Sequence, residues 1–173
     1  MLALGSLCAT NAPSEGAVVC LFGDIGYGKS VFARGFVRGM VGEPSLTVCS
    51  PTFLLTQEYS FACGGRGEEQ HNSLVHADLY RLSSGDDLRT LGLPSVALQS
   101  TVGDATPGFS LVEWPEVLVN NPEARLRNRL DVEITRDYSD AGDLDFEELE
   151  NATRTVLLKS EAWPQLFTNL LLL

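Results

Sequence analysis

The feature that most constrains the fold is a short apolar run leading directly into a glycine-rich loop. Residues Ala17 to Phe22 (AVVCLF) form a continuous apolar run with β-branched members, as expected of a strand buried on both faces of a sheet. The next residues, Gly23 to Ser30 (GDIGYGKS), fit the pattern G-x-x-x-x-G-K-[ST]. From Lys29 to Met40, apolar residues recur every four positions, which is helical periodicity. The sequence therefore predicts a strand, a phosphate-binding loop and a helix in succession.

The residue types of this loop follow from what an anion needs. Successive backbone N–H groups must converge on the anion, and side chains at Gly23 and Gly28 would obstruct that approach. The helix beginning near Lys29 adds free N–H groups and the positive end of its dipole. Lys29 supplies a point charge to the β- and γ-phosphates of a nucleotide, and Ser30 offers a hydroxyl to Mg²⁺. The loop residues predicted to contact the nucleotide are Gly23, Asp24, Gly26, Tyr27, Gly28, Lys29, Ser30 and Val31.

Tyr27 is the one bulky side chain inside the loop. Its ring would either cover the phosphates or face solvent, and the sequence leaves both arrangements open. A phosphate loop also needs a Mg²⁺-directed carboxylate at the end of a neighbouring core strand. Glu113 follows the apolar residues of SLV and precedes Trp-Pro, and Asp78 lies within LVHADLY. Because carboxylates in apolar strands are costly unless paired or metal-bound, both are candidates, although each could instead cap a turn or pair with an arginine such as Arg81.

Composition excludes several function classes. The 173 residues include 12 Lys and Arg against 23 Asp and Glu, for a net charge of −11, which argues against unaided binding to a nucleic-acid backbone. With 44% hydrophobic residues the chain is predicted to be one folded domain over residues 1–173. The four cysteines form no C-x-x-C pair and are predicted to be buried thiols. No apolar run approaches the roughly 20 residues of a membrane span.

The remaining chain supplies further strand patterns between turn-forming segments. A polar, glycine-rich segment from Gly64 to Ser73 predicts an exposed loop, Asp86 to Leu91 predicts a short helix, and the acidic Asp137 to Glu150 predicts a solvated loop with a helix start. Besides the first core strand, the predicted strands are Phe53 to Phe61, Leu74 to Tyr80, Ser110 to Trp114, Leu130 to Thr135 and Thr155 to Leu158.

Four sequence blocks together resemble the TsaE (YjeE) family, small bacterial-type ATPases that take part in making threonylcarbamoyladenosine (t6A) in certain tRNAs. The blocks are GDIGYGKS from Gly23, SPTF from Ser50, HADLYRL from His76 and EWPE from Glu113. A phosphate loop alone would indicate only a broad class, but the four blocks in this order are specific. The resemblance implies a three-layer α/β P-loop NTPase fold with a mainly parallel central sheet and some antiparallel strands.

The resemblance also implies residue roles. Lys29 and Ser30 would contact phosphate and Mg²⁺, and Glu113 would be the Mg²⁺ ligand at the end of a core strand. Asp78 would lie by the γ-phosphate, where it could orient the attacking water. Thr52 resembles the switch-region threonine that senses the γ-phosphate, and Trp114 would lie beside the nucleotide. The implied catalytic residues are therefore Lys29, Thr52, Asp78 and Glu113, and the implied cofactors are ATP and Mg²⁺.

Members of the family act through protein partners. The resemblance implies a weak ATPase that binds a TsaD–TsaB complex and resets it between turnovers, with tRNA held only indirectly through that complex. It implies a location in the bacterial cytoplasm or an organelle of bacterial origin, and self-association stays open. Only 22 residues precede Gly23, so the N-terminus is expected to be truncated or divergent. Ser30 stands where relatives usually have Thr, and Tyr27 where they have Ala.

Two other functions fit a phosphate loop. A small-molecule kinase would need an arginine-bearing lid, for which Arg125, Arg127 and Arg129 are candidates, although they are more simply interpreted as basic residues flanking a strand. A nucleotide-gated binding module would bind ATP with negligible turnover. A GTPase is disfavoured because no N-K-x-D pattern occurs and the chain has only two lysines, Lys29 and Lys159.

Overall fold

The computed structural model describes residues 1–63, 70–84, 87–88, 108–122, 124, 126–136 and 153–171. Its helices are α1 (Leu2–Thr10), α2 (Lys29–Val41), α3 (Glu116–Val119) and α4 (Pro164–Leu170). Its strands are β1 (Ala17–Phe22), β2 (Thr56–Cys63), β3 (Gln70–Asp78), β4 (Gly108–Glu113), β5 (Leu130–Arg136) and β6 (Arg154–Lys159).

The six strands form one sheet in the order β2-β3-β4-β1-β5-β6. The four inner strands are parallel to one another, and the two outer strands β2 and β6 run antiparallel to their neighbours. Strand β1 is central and almost wholly buried, as its continuous apolar run predicts. The predicted α/β fold with a mainly parallel central sheet and some antiparallel strands is confirmed.

The register of the parallel strands brings their carboxyl ends to one edge of the sheet. Leu21 near the end of β1 lies opposite Glu113 at the end of β4, and Glu113 in turn lies opposite Asp78 at the end of β3. In open parallel sheets this edge is where ligands bind. The two candidate carboxylates therefore emerge on neighbouring strands, directly beside the loop that follows β1.

Helices α1, α2 and α4 contribute to the core on one face of the sheet, and α3 contributes to a smaller core on the other. Helix α1 packs on α2 at very short range, since a Cβ added to Gly5 would lie 2.2 Å from the carbonyl oxygen of Phe32. A Cβ at Gly35 would likewise lie 2.1 Å from the carbonyl oxygen of Leu2. Glycine at these positions is what lets the two helix backbones meet.

Most predicted elements are confirmed within a few residues. The predicted loop from Gly64 to Ser73 is wrong for residues 70–73, which belong to β3, because the antiparallel pairing with β2 satisfies the backbone of these polar residues. Of the predicted helix from Asp86 to Leu91, residues 87–88 are described and are helical. The predicted acidic loop from Asp137 to Glu150 lies outside the described residues. The assignment of residues 1–173 to one domain stays a prediction.

Helix α1 was not predicted from the sequence, although it occupies part of the short segment before Gly23. Cys8 and Cys20 are buried as predicted, whereas Cys49 is exposed, so the expectation of a buried thiol is wrong there. Burial raises the pKa of both the Cys8 and Cys20 thiols to about 12. Within the described part of the chain, no helix is both long enough and apolar enough to cross a membrane.

Candidate functional site

The loop between β1 and α2 has a backbone that only glycine adopts readily. Gly23, Gly26 and Gly28 have φ angles of 133°, 78° and 108°, in the region that L-residues rarely occupy. Space is also limiting at the start of the loop, where a Cβ on Gly23 would lie 2.4 Å from the carbonyl oxygen of Ile134 on β5. The spacing of the glycines thus follows from the turn that carries the chain from the sheet into α2.

The Lys29 side chain folds back into this loop. Its Nζ donates hydrogen bonds to the carbonyl oxygens of Gly23 at 2.5 Å and Asp24 at 2.9 Å, and it lies 3.7 Å from the centre of the Trp114 ring. The side chain is only 5% exposed. Burial lowers the pKa of Lys29, while the nearby carboxylates of Glu113 and Asp78 oppose that change. The loop therefore holds a cation at its centre, in contact with an aromatic face.

Glu113 is a buried carboxylate with a donor on each oxygen. Ser30 Oγ donates to Oε2 at 3.0 Å, joining residues 83 positions apart in sequence, and His76 Nε2 lies 2.9 Å from Oε1. The Glu113 residue is 2% exposed. Trp114, immediately after it, has a φ of 57° and donates its backbone N–H to Leu21 at 3.3 Å. The strained residue turns the chain away from the sheet directly after the carboxylate.

Asp78 is held by hydroxyl groups from the segment that precedes β2. Thr52 Oγ1 donates to Asp78 Oδ2 at 2.6 Å, and Ser50 Oγ donates to the same oxygen at 3.1 Å. The other oxygen, Oδ1, accepts the backbone N–H of Tyr80 at 3.0 Å. The backbone N–H of Asp78 also donates to the carbonyl of Leu55, which fixes the Ser50 to Leu55 segment against the end of β3. These bonds join two of the sequence blocks at one carboxylate.

These groups surround a pocket of about 450 Å³ at the carboxyl edge of the sheet. Nine of the residues singled out from the sequence line the pocket. Gly23 and Asp24 instead contribute the carbonyls that hold Lys29. The lining residues are Ile25, Gly26, Gly28, Lys29, Ser30, Val31, Ser50, Thr52, Asp78, Tyr80, Glu113 and Trp114.

Tyr27 lies on the side of the loop that faces β5 and β6. Its carbonyl accepts a hydrogen bond from Arg154 Nε at 3.1 Å, and its ring lies 5.8 Å from the Arg136 guanidinium carbon. The side chain is half-buried and is not among the residues lining the pocket. The sequence left two arrangements open for Tyr27, covering the phosphates or facing solvent. In the structure the ring does neither completely, because it packs beside Arg136.

The oxygen atoms present fit a magnesium ion shared with a nucleotide. Ser30 is exposed to the pocket and its hydroxyl bonds to the Glu113 carboxylate, so two hard oxygen donors lie side by side. Among the described residues, no group of three or more His, Cys, Asp or Glu side chains forms a metal site of its own. Mg²⁺ keeps several water ligands and takes others from phosphates, so two protein oxygens beside a phosphate loop suit it.

The arginine lid considered for a kinase is not assembled from the residues described. Arg129 lies immediately before β5 and makes a bidentate pair with Asp131, with distances of 2.6 and 2.8 Å. This is the amino end of a strand parallel to β1, at the opposite edge of the sheet from the pocket. Arg127 is exposed, and Arg125 lies outside the described residues. The interpretation of Arg129 as a basic residue flanking a strand is the one its geometry favours.

Ile25 in the loop and three residues outside the loop were not assigned roles from the sequence. Ser50 and Tyr80 line the pocket, whereas His76 is not among the lining residues and contacts Glu113 at Oε1. The Tyr80 ring packs 4.9 Å from the Trp114 ring. All three belong to the blocks SPTF and HADLYRL, so a signal for each was present in the sequence.

Comparison with known proteins gives a consistent result. The family profile described as "Threonylcarbamoyl adenosine biosynthesis protein TsaE" matches residues 1–143. A protein from Streptomyces coelicolor is 36% identical over 118 residues, which cover 67% of this chain and 69% of that protein. One from Rickettsia bellii is 34% identical over 113 residues, 65% of each chain. Both are named tRNA threonylcarbamoyladenosine biosynthesis protein TsaE. In a Rickettsia felis relative with the same name, the match spans 49% of the protein.

The fold has a similar solved structure. The crystal structure of YdiB from Bacillus subtilis superposes with a TM-score of 0.56, covering 98% of this chain and 85% of that one, at 24% sequence identity. This likeness concerns the fold.

Proposed function

This chain belongs to the TsaE family of threonylcarbamoyl adenosine biosynthesis proteins, and from that premise we propose that it binds and hydrolyses ATP as a subunit required for t6A modification of tRNA. The observation that carries the proposal is the contact between Ser30 and Glu113 beside the buried ammonium of Lys29. Carboxylate, hydroxyl and ammonium meet at the start of a helix, which is the set of groups that nucleotide triphosphate chemistry requires.

The loop and the start of α2 would bind the phosphates. Backbone N–H groups of the loop and Lys29 neutralise negative charge, and the exposed Val31 and the half-buried Trp114 border the same pocket. Ser30 and Glu113 would hold Mg²⁺, which when bound neutralises charge developing on the phosphates. Because Lys29 keeps two carbonyl partners within the loop, its charge stays close to the place where the phosphates would lie.

Asp78 and Thr52 would respond to the γ-phosphate. Asp78 is a buried carboxylate that lines the pocket, and its described side-chain hydrogen bonds go to Ser50, Thr52 and Tyr80. It is not tied to Ser30 or Glu113 by these bonds, which suits a role in orienting the attacking water. Thr52 donates to the same carboxylate at 2.6 Å. A movement of Thr52 toward a phosphate would therefore also change the hydrogen bonding of Asp78, which links sensing of the γ-phosphate to the catalytic carboxylate.

We propose a TsaD–TsaB complex as the partner. The net charge of −11 suits an ATPase that works through proteins and leaves tRNA binding to the rest of the assembly. Large apolar side chains are exposed around the pocket, with Ile25 70%, Phe53 87% and Tyr80 52% exposed. Exposed apolar groups of this kind favour contact with a protein. The site of action would be the bacterial cytoplasm or an organelle of bacterial origin.

The test is Mg²⁺-dependent ATP hydrolysis by the purified chain, alone and with a species-matched TsaD–TsaB complex. We expect weak hydrolysis alone and strong stimulation by the complex. Transfer of the labelled γ-phosphate to a metabolite instead of water would favour a kinase. Stoichiometric ATP binding that controls assembly, with negligible turnover in both conditions, would favour a nucleotide-gated binding module.

A further inference from the structure

His76 is a buried polar residue that the proposed chemistry does not use. It lies within β3 and is 1% exposed, and the residue two places before it on the same face, Leu74, is wholly buried and apolar. Its partner in the β3–β4 register is Leu111, also wholly buried. An apolar side chain would pack at this position without the cost of burying a polar ring. The presence of histidine beside these two leucines calls for a reason.

Among the described residues, the His76 side chain has one hydrogen-bond partner, Glu113. The Nε2 atom lies 2.9 Å from Oε1, and both side chains are almost wholly buried. An ionised carboxylate only accepts hydrogen bonds, so Nε2 carries the hydrogen and donates it. The other ring nitrogen, Nδ1, has no hydrogen-bond partner among the described residues. The bond to Glu113 is therefore what determines how the ring is oriented.

The two oxygens of Glu113 have separate partners. His76 binds Oε1 from within the sheet, whereas Ser30 binds Oε2 from the side of the pocket. Rotation of the carboxylate would break both hydrogen bonds. A donor on Oε1 thus keeps Oε2 directed toward Ser30, where the hydroxyl and carboxylate oxygens lie side by side.

We propose that His76 is a positioning residue that holds Glu113 in the orientation needed to bind Mg²⁺ with the nucleotide. This inference rests on the proposed role of Glu113. Histidine acts here through its hydrogen bond to the carboxylate, in the way that outer partners orient the ligands of other metal sites. Without the donor, Glu113 would rotate away from Ser30. Mg²⁺ would then strengthen ATP binding less than it does in the wild-type protein.

A matched pair of variants tests this role. His76→Gln keeps an N–H donor near the position of Nε2, and His76→Met has a similar length without a donor. ATP binding is measured by calorimetry in EDTA and again with Mg²⁺, and hydrolysis is titrated with Mg²⁺. We expect His76→Met to raise the Mg²⁺ concentration needed for half-maximal hydrolysis by about 10- to 100-fold. ATP affinity in EDTA should stay at the wild-type value, and His76→Gln should recover most of the loss.

Several outcomes would overturn the inference. Unchanged Mg²⁺ dependence in His76→Met would show that Glu113 needs no donor, and an equal loss in His76→Gln and His76→Met would show that packing alone matters. If Mg²⁺ does not strengthen ATP binding by the wild-type protein, the proposed function fails and this inference fails with it. The wild-type measurement alone identifies that case, without any variant. Thermal unfolding checks each fold. Should His76→Met not fold, His76→Asn replaces it, since its shorter amide reaches the place of Nδ1.

Discussion

The two sides of β1 differ at the edge where the phosphate loop begins. On one side, β4 and β3 end in the buried carboxylates of Glu113 and Asp78, each bonded to hydroxyl groups. On the other side, β5 and β6 meet the backbone of the loop, through the Ile134 carbonyl near Gly23 and the Arg154 guanidinium on the Tyr27 carbonyl. One side supplies ionisable groups, and the other supports the shape of the loop.

This difference shows that the residues proposed to act on the nucleotide and the residues that support the loop lie on opposite sides of β1 in the same sheet. Side chains that would touch the nucleotide come from the loop and from the β3–β4 side, and the charged ones that line the pocket, Lys29, Asp78 and Glu113, are buried. The β5–β6 side contacts the loop mainly through backbone atoms and long basic side chains. Changes on the first side should alter activity with little effect on folding, and changes on the second should do the reverse.

The largest effect should come from removing the lysine of the loop. We expect Lys29→Ala to reduce ATP hydrolysis by about 100- to 1000-fold, because a preorganised charge at the phosphates is lost. The matched control is Lys159→Ala, which changes the chain's other lysine. Lys159 is 60% exposed and pairs with Glu133 on the β5–β6 side, so its loss should leave hydrolysis unchanged. Full hydrolysis by Lys29→Ala would exclude the loop as the phosphate site.

A second comparison uses two glutamates, one on each side of β1. Glu113→Gln should weaken apparent Mg²⁺ affinity by at least about tenfold, because an amide is a poorer ligand than a carboxylate. Mutation of a residue that only hydrogen-bonds to a metal ligand already reduces metal affinity by about that factor. Glu133→Gln, on the half-exposed β5 position opposite Phe22, should have no effect on Mg²⁺ dependence. The measurement is hydrolysis against Mg²⁺ concentration. Equal responses of the two variants would contradict the division between the sides.

The support that β5 gives to the loop is tested at two loop glycines, one that faces β5 and one that does not. Gly23→Ala would place a Cβ 2.4 Å from the Ile134 carbonyl oxygen and force an unfavourable φ, so we expect a loss of about 2–3 kcal/mol in the free energy of unfolding. At Gly26, where the φ is also positive but no atom lies within 4 Å of the added Cβ, the expected loss is about 1 kcal/mol. Urea denaturation measures both, and similar losses would mean that Ile134 does not limit the loop.

The smallest effect is expected at Thr52. Thr52→Val removes the 2.6 Å hydrogen bond to Asp78 while Ser50 retains its own bond to the same oxygen. We expect hydrolysis to fall by roughly fivefold to tenfold, about 1–1.5 kcal/mol for one hydrogen bond. Thr52→Ser keeps the hydroxyl and serves as the control. If Thr52→Ser loses as much as Thr52→Val, the methyl group and not the hydroxyl is what matters.

The sequence was most informative where short-range patterns decide the structure. The glycines at 23, 26 and 28 and the apolar run of β1 are local signals, and each describes a turn or strand that neighbouring residues largely determine. Glu113 and Asp78 were identifiable as strand-end carboxylates for the same reason. Their position at one edge of the sheet follows from the tendency of parallel strands to end there, whereas the pairing of β3 with β4 was not predicted.

Contacts between distant residues account for what was missed. The hydrogen bond from His76 to Glu113 depends on the register of β3 against β4, which no local pattern contains. Helix α1 depends on the close packing of Gly5 on Phe32 and of Gly35 on Leu2, which are far apart in sequence. Its own apolar residues are spread around the helix instead of forming a stripe. The start of β3 in a polar segment likewise depends on pairing with β2.

The hydrogen bonds from Lys29 to Gly23 and Asp24 close the loop into a small ring. Two of the three N–H donors of the ammonium are used for this purpose, and one is left for a ligand. The conformational entropy of ordering the loop is therefore lost when the chain folds and not when a nucleotide arrives. ATP would therefore bind to a loop that is already ordered. Lys29 would both attract the phosphates and hold the loop in its binding conformation before they arrive.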